Sequence, residues 1–253
     1  MLRIIACIPL MLLPTMAVAE QKVLTVRIAT EGAYPPWNFV EGNGKVGGFE
    51  VAVGNELCAR ASLNCEWLVS DWDTLIPDLQ AKEFDAIMAA MGITDEREAA
   101  IDFTEIYALQ GSSRYLAVAN ATFNFDDLQG ARIGAQTATM QHVYLETNHA
   151  PANAVHGYKT IEAAVADLLA GNLDLVMIGT RHAEEFATSS GALAVTGPVL
   201  RIGRGVGIGL RAEDNELELR FNAAIVDMKR DGSLDALILQ WFHDPNYLFK
   251  NSN

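Results

Sequence analysis

The chain is short of cysteine, histidine and positive charge: three Cys, five His, and 18 Lys plus Arg against 32 Asp plus Glu. So few cysteines and such scattered histidines offer no cluster with zinc-ligand spacing. The shortage of basic residues argues against nucleic acid or an anionic membrane surface as a partner, since both reward clustered Lys and Arg. There is no G-x-S-x-G elbow, no phosphate-binding glycine loop and no H-E-x-x-H segment, so these enzyme signatures are absent. His142, His149 and His156 have no visible nucleophile beside them and read as solvated helix or loop positions. Repeats, low-complexity tracts and flexible linkers are also missing.

What is present begins with a targeting segment. Arg3 gives the positive start, Ile4 to Leu13 an apolar run interrupted by Pro9, and Ala17-Val18-Ala19 a small-x-small cleavage site before Glu20. The run is too short for a membrane span, which needs about 18 apolar residues or more. Residues 1–19 are therefore expected to be a signal peptide cleaved after Ala19, with Cys7 lost in it. The remainder keeps 17 basic and 32 acidic residues, a formal charge of −15, and two cysteines, Cys58 and Cys65. An even pair in an exported protein points to a disulfide closing a short loop, with two reduced core thiols as the alternative.

Short β-like runs alternate with helix-length segments. Val23 to Ala29, Glu66 to Val69 and Phe84 to Met88 read as strands, with helices over Phe49 to Ala61 and Thr74 to Ala81. Pro77 is tolerated in a first helical turn. The rhythm restarts with strands at Arg114 to Ala119, Ala131 to Gly134, Leu173 to Ile178 and Val206 to Leu210. Helices are expected over Thr139 to Thr147, Ile161 to Ala170, Asn215 to Arg230 and Ser233 to Trp241. This interleaving predicts α/β lobes built on doubly wound, largely parallel sheets, two in number and divided near residue 110.

An ordered series of motifs carries a family resemblance. Glu31-Gly32-Ala33-Tyr34-Pro35-Pro36-Trp37, Gly47-Gly48-Phe49-Glu50, Ser70-Asp71-Trp72-Asp73-Thr74-Leu75-Ile76-Pro77, Phe84-Asp85-Ala86-Ile87 and Ile93-Thr94-Asp95-Glu96-Arg97 resemble the polar amino-acid-binding periplasmic proteins of ABC importers. The Cys58 to Cys65 spacing is similar to the disulfide of the lysine/arginine/ornithine- and histidine-binding members. Ala86-Ile87-Met88-Ala89-Ala90-Met91 is worded most like the octopine- and nopaline-binding branch. The likeness runs from about Val23 to Trp241, strong in the first half and looser in the second.

The resemblance implies a type II periplasmic-binding-protein fold, with lobe one over residues 20–110 plus 204–253 and lobe two over 111–203. Two hinges are expected near Ala108 to Arg114 and Leu200 to Gly205, with the ligand in the cleft between the lobes. It implies a monomeric periplasmic receptor with no cofactor, which hands a basic amino acid or an opine to an inner-membrane ABC permease. Some proteins of this fold are enzymes, notably cyclohexadienyl dehydratases, and that is the alternative, with Glu31 or His142 as a proton shuttle. A signalling module docking on a sensor kinase is a third.

The resemblance also assigns the site. Arg97 would grip the ligand carboxylate with its planar fork; the bland reading is an exposed arginine among acids. Tyr34 and Trp72 would flank the ligand side chain, where an aromatic face attracts a cation by roughly 0.5–2 kcal/mol, although both could be ordinary core. Glu31 would pair a distal ammonium or guanidinium, or simply be a solvated loop acid. Ala90 and Gly92 stand where the family often has serines, leaving only their backbone groups to hold carboxylate and ammonium. Thr139 would join a second carboxylate cradle, or merely cap a helix. Gly179 replaces an aspartate that many members use for the α-ammonium. A glycine makes room for an opine, whose secondary amine carries an extra carboxylate that an aspartate would repel.

Overall fold

The computed structural model describes residues 23–109 and 111–251; the expected signal peptide and its cleavage site lie outside the described residues. The first strand, β1 (Leu24–Thr30), is exposed at its start and buried at its end. A small antiparallel ribbon of β2 (Ala33–Tyr34), β3 (Asn38–Val40) and β4 (Val46–Gly47) leads into helix α1 (Phe49–Arg60). Gly48 makes that entry at φ 117°, and a β-carbon there would lie 2.5 Å from the Trp37 carbonyl oxygen, so a side chain is excluded. Helix α1 buries Phe49, Val53 and Leu57 on one stripe. Cys58 near its end is disulfide-bonded to Cys65 in β5 (Leu63–Val69), Cα–Cα 6.2 Å. The free-thiol alternative is thereby closed, and the bridge contributes about 2–3 kcal/mol on chain-entropy grounds.

Next come α2 (Leu75–Gln80), β6 (Ala86–Ile87), the single-turn α3 (Asp95–Glu98) and β7 (Asp102–Phe103). The second half holds β8 (Ser112–Val118), β9 (Arg132–Gln136), α4 (Met140–Asn148), β10 (Ala154–Tyr158), α5 (Ile161–Leu169), β11 (Leu175–Gly179), α6 (Thr180–Ser190) and β12 (Leu193–Arg201). The chain then returns through β13 (Gly209–Leu210) to α7 (Asn215–Asp231) and α8 (Ser233–Phe242). No helix among the described residues is long and apolar enough to cross a membrane.

Two five-stranded sheets result, ordered β5-β1-β6-β13-β7 and β10-β9-β11-β8-β12. Each has an apolar core on both faces, as sheets covered by helices on both sides require. The expectation of largely parallel sheets needs correction. In each, two of the four strand pairings are parallel and two antiparallel, because a single strand, β13 in the first sheet and β8 in the second, runs against the other four. Only parallel neighbours need a helical crossover. Strands β8 and β13 are reached by direct passage between the sheets, so no crossover dictates their direction.

The two passages run side by side. Tyr107 N–H donates to the Val206 carbonyl (2.9 Å), Val206 N–H to that of Ala108 (3.0 Å), and Ser112 pairs with Arg201. Each lobe also carries the same internal brace. Arg27 on β1 donates through its backbone N–H and Nε to Asp85 just before β6, each at 3.0 Å. Arg132 on β9 does so to Asp174 just before β11, at 2.8 and 3.1 Å.

Candidate ligand-binding site

The loops that follow the C-terminal ends of β1, β5, β6, β9 and β11 converge from both lobes on one cavity. Such strand ends are where α/β sheets present polar backbone and side chains to a ligand. From lobe one come Glu31, Tyr34, Trp72 and Arg97; from lobe two come Gln136, Thr139, Gly179 and His182.

Arg97 is buried, at 8% exposure, so the solvated reading is overturned. Its backbone N–H is capped by Thr94 Oγ1, which aims the side chain inward. Nη1 donates to the Gly92 carbonyl at 2.6 Å and Nη2 to the Ala138 carbonyl of lobe two at 2.8 Å. The guanidinium carbon lies 5.3 Å from the Trp72 ring centroid. Its hydrogen bonds go to neutral carbonyls and none to a carboxylate, so burial brings its pKa down to about 10. A desolvated cation held only by dipoles is an arrangement that an incoming anion improves. Trp72 Nε1 is likewise buried without a hydrogen-bond partner.

Glu31 is the only carboxylate among the described residues lining the cavity. Burial raises its pKa, opposed by a hydrogen bond from Gln136 Nε2 at 2.7 Å. Tyr34 stacks on His182 across the cleft, with centroids 3.7 Å apart and planes at 12°. His182 Nε2 lies 2.8 Å from the Pro35 carbonyl oxygen. Gly179 closes this corner, for a β-carbon there would lie 3.0 Å from the Tyr34 hydroxyl. At the rim, Lys159 of lobe two pairs with Asp71 of lobe one at 2.7 Å, both largely exposed. Arg181, the other cavity-lining cation, is paired with Glu185 on its own helix at 3.1 Å and donates to the Phe242 carbonyl.

Beneath the site lies Glu50, fully buried on the first turn of α1. It accepts from Ala90 N–H (2.6 Å), Asn38 Nδ2 (2.6 Å) and the Tyr107 hydroxyl. Asn38 in turn accepts from Gly32 N–H at 2.8 Å. One carboxylate thus pins the loops bearing Glu31 and Ala90. Burial pushes its pKa up, while the three donors pull it back.

Residues 26–244 match the sequence pattern of the bacterial extracellular solute-binding proteins, family 3. The chain belongs to that family. Among family 3 relatives, the lysine/arginine/ornithine-binding periplasmic protein of Escherichia coli is 34% identical over 234 residues, covering 86% of this chain and 87% of the relative. The octopine-binding periplasmic protein of Rhizobium meliloti is 33% identical over 250 residues, covering 87% and 84%. A solved periplasmic His/Glu/Gln/Arg/opine family-binding protein from Silicibacter pomeroyi, in complex with lysine, superposes with a TM-score of 0.80. It is 42% identical and covers 87% of this chain and 98% of that one.

This family 3 cleft brings together all eight residues expected from sequence, but not all in the expected roles. The Ala90 N–H is already given to Glu50, so the backbone donor expected there is occupied. The Gly92 carbonyl is taken by Arg97. The Thr139 hydroxyl donates to the Gln136 carbonyl (2.7 Å) and accepts from His142 N–H (3.2 Å), so in this structure it caps α4. His182, Glu50 and the partnership of Gln136 with Glu31 were not read from sequence. For Glu50 a signal existed: an acid on the stripe of α1 that otherwise buries Phe49, Val53 and Leu57 needs a buried partner.

Proposed function

We propose that this chain is the periplasmic binding protein of an ABC importer, cleaved after Ala19, which closes on an amino acid or amino-acid derivative and delivers it to an inner-membrane permease. In this reading the lobes are residues 20–110 plus 204–253 and 111–203, the protein is monomeric, and the paired crossings at 108–114 and 200–205 act as hinges. The observation that carries it is Arg97, a buried guanidinium facing the cavity between the lobes with only carbonyls to hold it. A ligand carboxylate supplies the missing negative charge bidentately.

Glu31 supports a basic ligand, because a cationic side chain would take over the partnership that Gln136 now provides. Gly179 supports an opine, because the cavity has no acid there to repel a second carboxylate. The relatives named for lysine/arginine/ornithine and for octopine agree with both halves of this reading. Ligand contacts to both lobes favour the closed form by differential affinity.

The dehydratase alternative has no observation in its favour: His142 does not line the cavity, and Glu31 is held by an amide. Titration calorimetry with lysine, arginine and octopine is expected to give saturable binding of at least one, without turnover. Failure of all three to bind overturns the reading.

A further inference from the structure

Besides Trp72 Nε1, the cleft holds a polar atom with no hydrogen-bond partner among the described residues at the place where an acid is missing. His182 is buried, at 6% exposure, in the first turn of α6. Its Nε2 is 2.8 Å from the Pro35 carbonyl oxygen, and a carbonyl only accepts, so Nε2 carries the hydrogen. Burial holds the ring's pKa down at about 4, so at neutral pH it is uncharged and Nδ1 keeps its lone pair. Among the described residues Nδ1 has no hydrogen-bond partner.

That lone pair borders the corner at Gly179, where a β-carbon would lie 4.0 Å from Nδ1 and 3.0 Å from the Tyr34 hydroxyl. Stacking on Tyr34 sets the plane of the ring and with it the direction of the lone pair. Glu31, the cavity's only carboxylate among the described residues, is already engaged by Gln136.

We propose that His182 Nδ1 is the acceptor for the amine nitrogen of the bound ligand, and that it determines which amines the cleft admits. This rests on the amino-acid reading above and deepens it. An aspartate at position 179 would favour a primary ammonium by charge and repel any ligand with a carboxylate attached through that nitrogen. A neutral imidazole accepts one N–H from a primary or a secondary ammonium and repels neither. The cleft therefore takes N-carboxyalkyl amino acids alongside their parent amino acids.

The test is calorimetry with L-arginine, octopine and deaminoarginine, which keeps the carboxylate and guanidinium but lacks the α-nitrogen. His182→Phe retains a ring against Tyr34 and removes the acceptor. It is expected to weaken arginine and octopine by about tenfold or more and to leave deaminoarginine within about twofold. His182→Gln, which restores an acceptor, is expected to recover part of the loss and serves if the Phe variant does not fold. In the wild type, the imidazole 15N resonance of Nδ1 should move on binding arginine but not deaminoarginine. Equal loss for all three ligands in His182→Phe, or an unmoved Nδ1 resonance with arginine bound, overturns this inference alone. Wild-type protein that binds none of the three overturns the amino-acid reading beneath it.

Discussion

The two lobes are built alike and equipped differently. Each has a five-stranded mixed sheet and an arginine braced to an aspartate one strand over: Arg27 with Asp85, and Arg132 with Asp174. Lobe one brings charge and aromatic rings to the cleft through Arg97, Glu31, Tyr34 and Trp72. The lobe-two groups that contact them are neutral: the Ala138 carbonyl, the Gln136 amide and the uncharged His182 ring, with Lys159 kept to the rim and Arg181 paired on its own helix. A dipole satisfies a buried charge less well than an opposite charge does. The lobes can thus close on each other weakly, and a ligand with a carboxylate and a cationic side chain can replace the Arg97–Ala138 and Glu31–Gln136 contacts with stronger ones.

That asymmetry can be broken most severely at Arg97. Replacing it with Ala should weaken any carboxylate ligand by about 30-fold or more, since truncating one partner of a buried charge pair costs about 2–5 kcal/mol. Near-normal affinity by calorimetry would remove the carboxylate role. Glu31→Gln should weaken arginine and lysine by about tenfold while sparing neutral amino acids; equal losses for both would refute its pairing with a cation.

Acid should act through the other side of the cleft. The closed form keeps His182 neutral down to about pH 4, whereas an imidazole in an opened cleft titrates near its ordinary value of about 6.5. Protons therefore favour the open form as pH falls from about 6.5 towards 4, and affinity should drop by up to about tenfold per unit. Arg181 and Glu185 on its own helix, and Tyr34 with Glu31 opposite, are the neighbouring charged or titratable groups. Calorimetry at stepped pH should find this limb missing in His182→Phe; a variant that keeps it assigns the effect to Glu31. The smallest change belongs to the rim pair. Lys159→Ala should cost less than about fivefold, because exposed ion pairs contribute about 0–1 kcal/mol. A larger loss by calorimetry would make the Asp71 contact a true latch.

How much could be read from sequence follows the same divide. In lobe one the elements that were expected fell within a few residues, because Phe49, Val53 and Leu57 mark a helix stripe and Val26 and Ile28 a buried strand, while the two- and three-residue strands β2, β3, β4 and β7 were too short to show a pattern. Arg97 and Trp72 were legible through motifs local to them. In lobe two, β10, α6 and β12 were missed. Helix α6 has only a short stripe of Ala183, Phe186 and Ala187 among polar residues, and β12 is a half-exposed edge strand interrupted by Gly197-Pro198. The His182–Tyr34 stack joins residues far apart in the chain, which no local pattern reveals. The hydrogen bonds of Ala90 and Thr139 were hidden for a different reason. A backbone N–H or a capping hydroxyl serves whichever partner the fold places nearest, and residue identity does not name that partner.

The paired crossings carry one more consequence. Residues 112–201 leave and rejoin the rest of the chain at neighbouring points, with Ser112 opposite Arg201 and Ala108 opposite Val206. Such a segment can be exchanged as a cassette. Grafting the corresponding stretch of an octopine- or arginine-binding relative between these two points would replace the amide, the carbonyl and the imidazole together, while the Arg97 guanidinium stayed native. Diversity in what these receptors recognise can then arise by recombination at two adjacent junctions rather than by the slow accumulation of single substitutions.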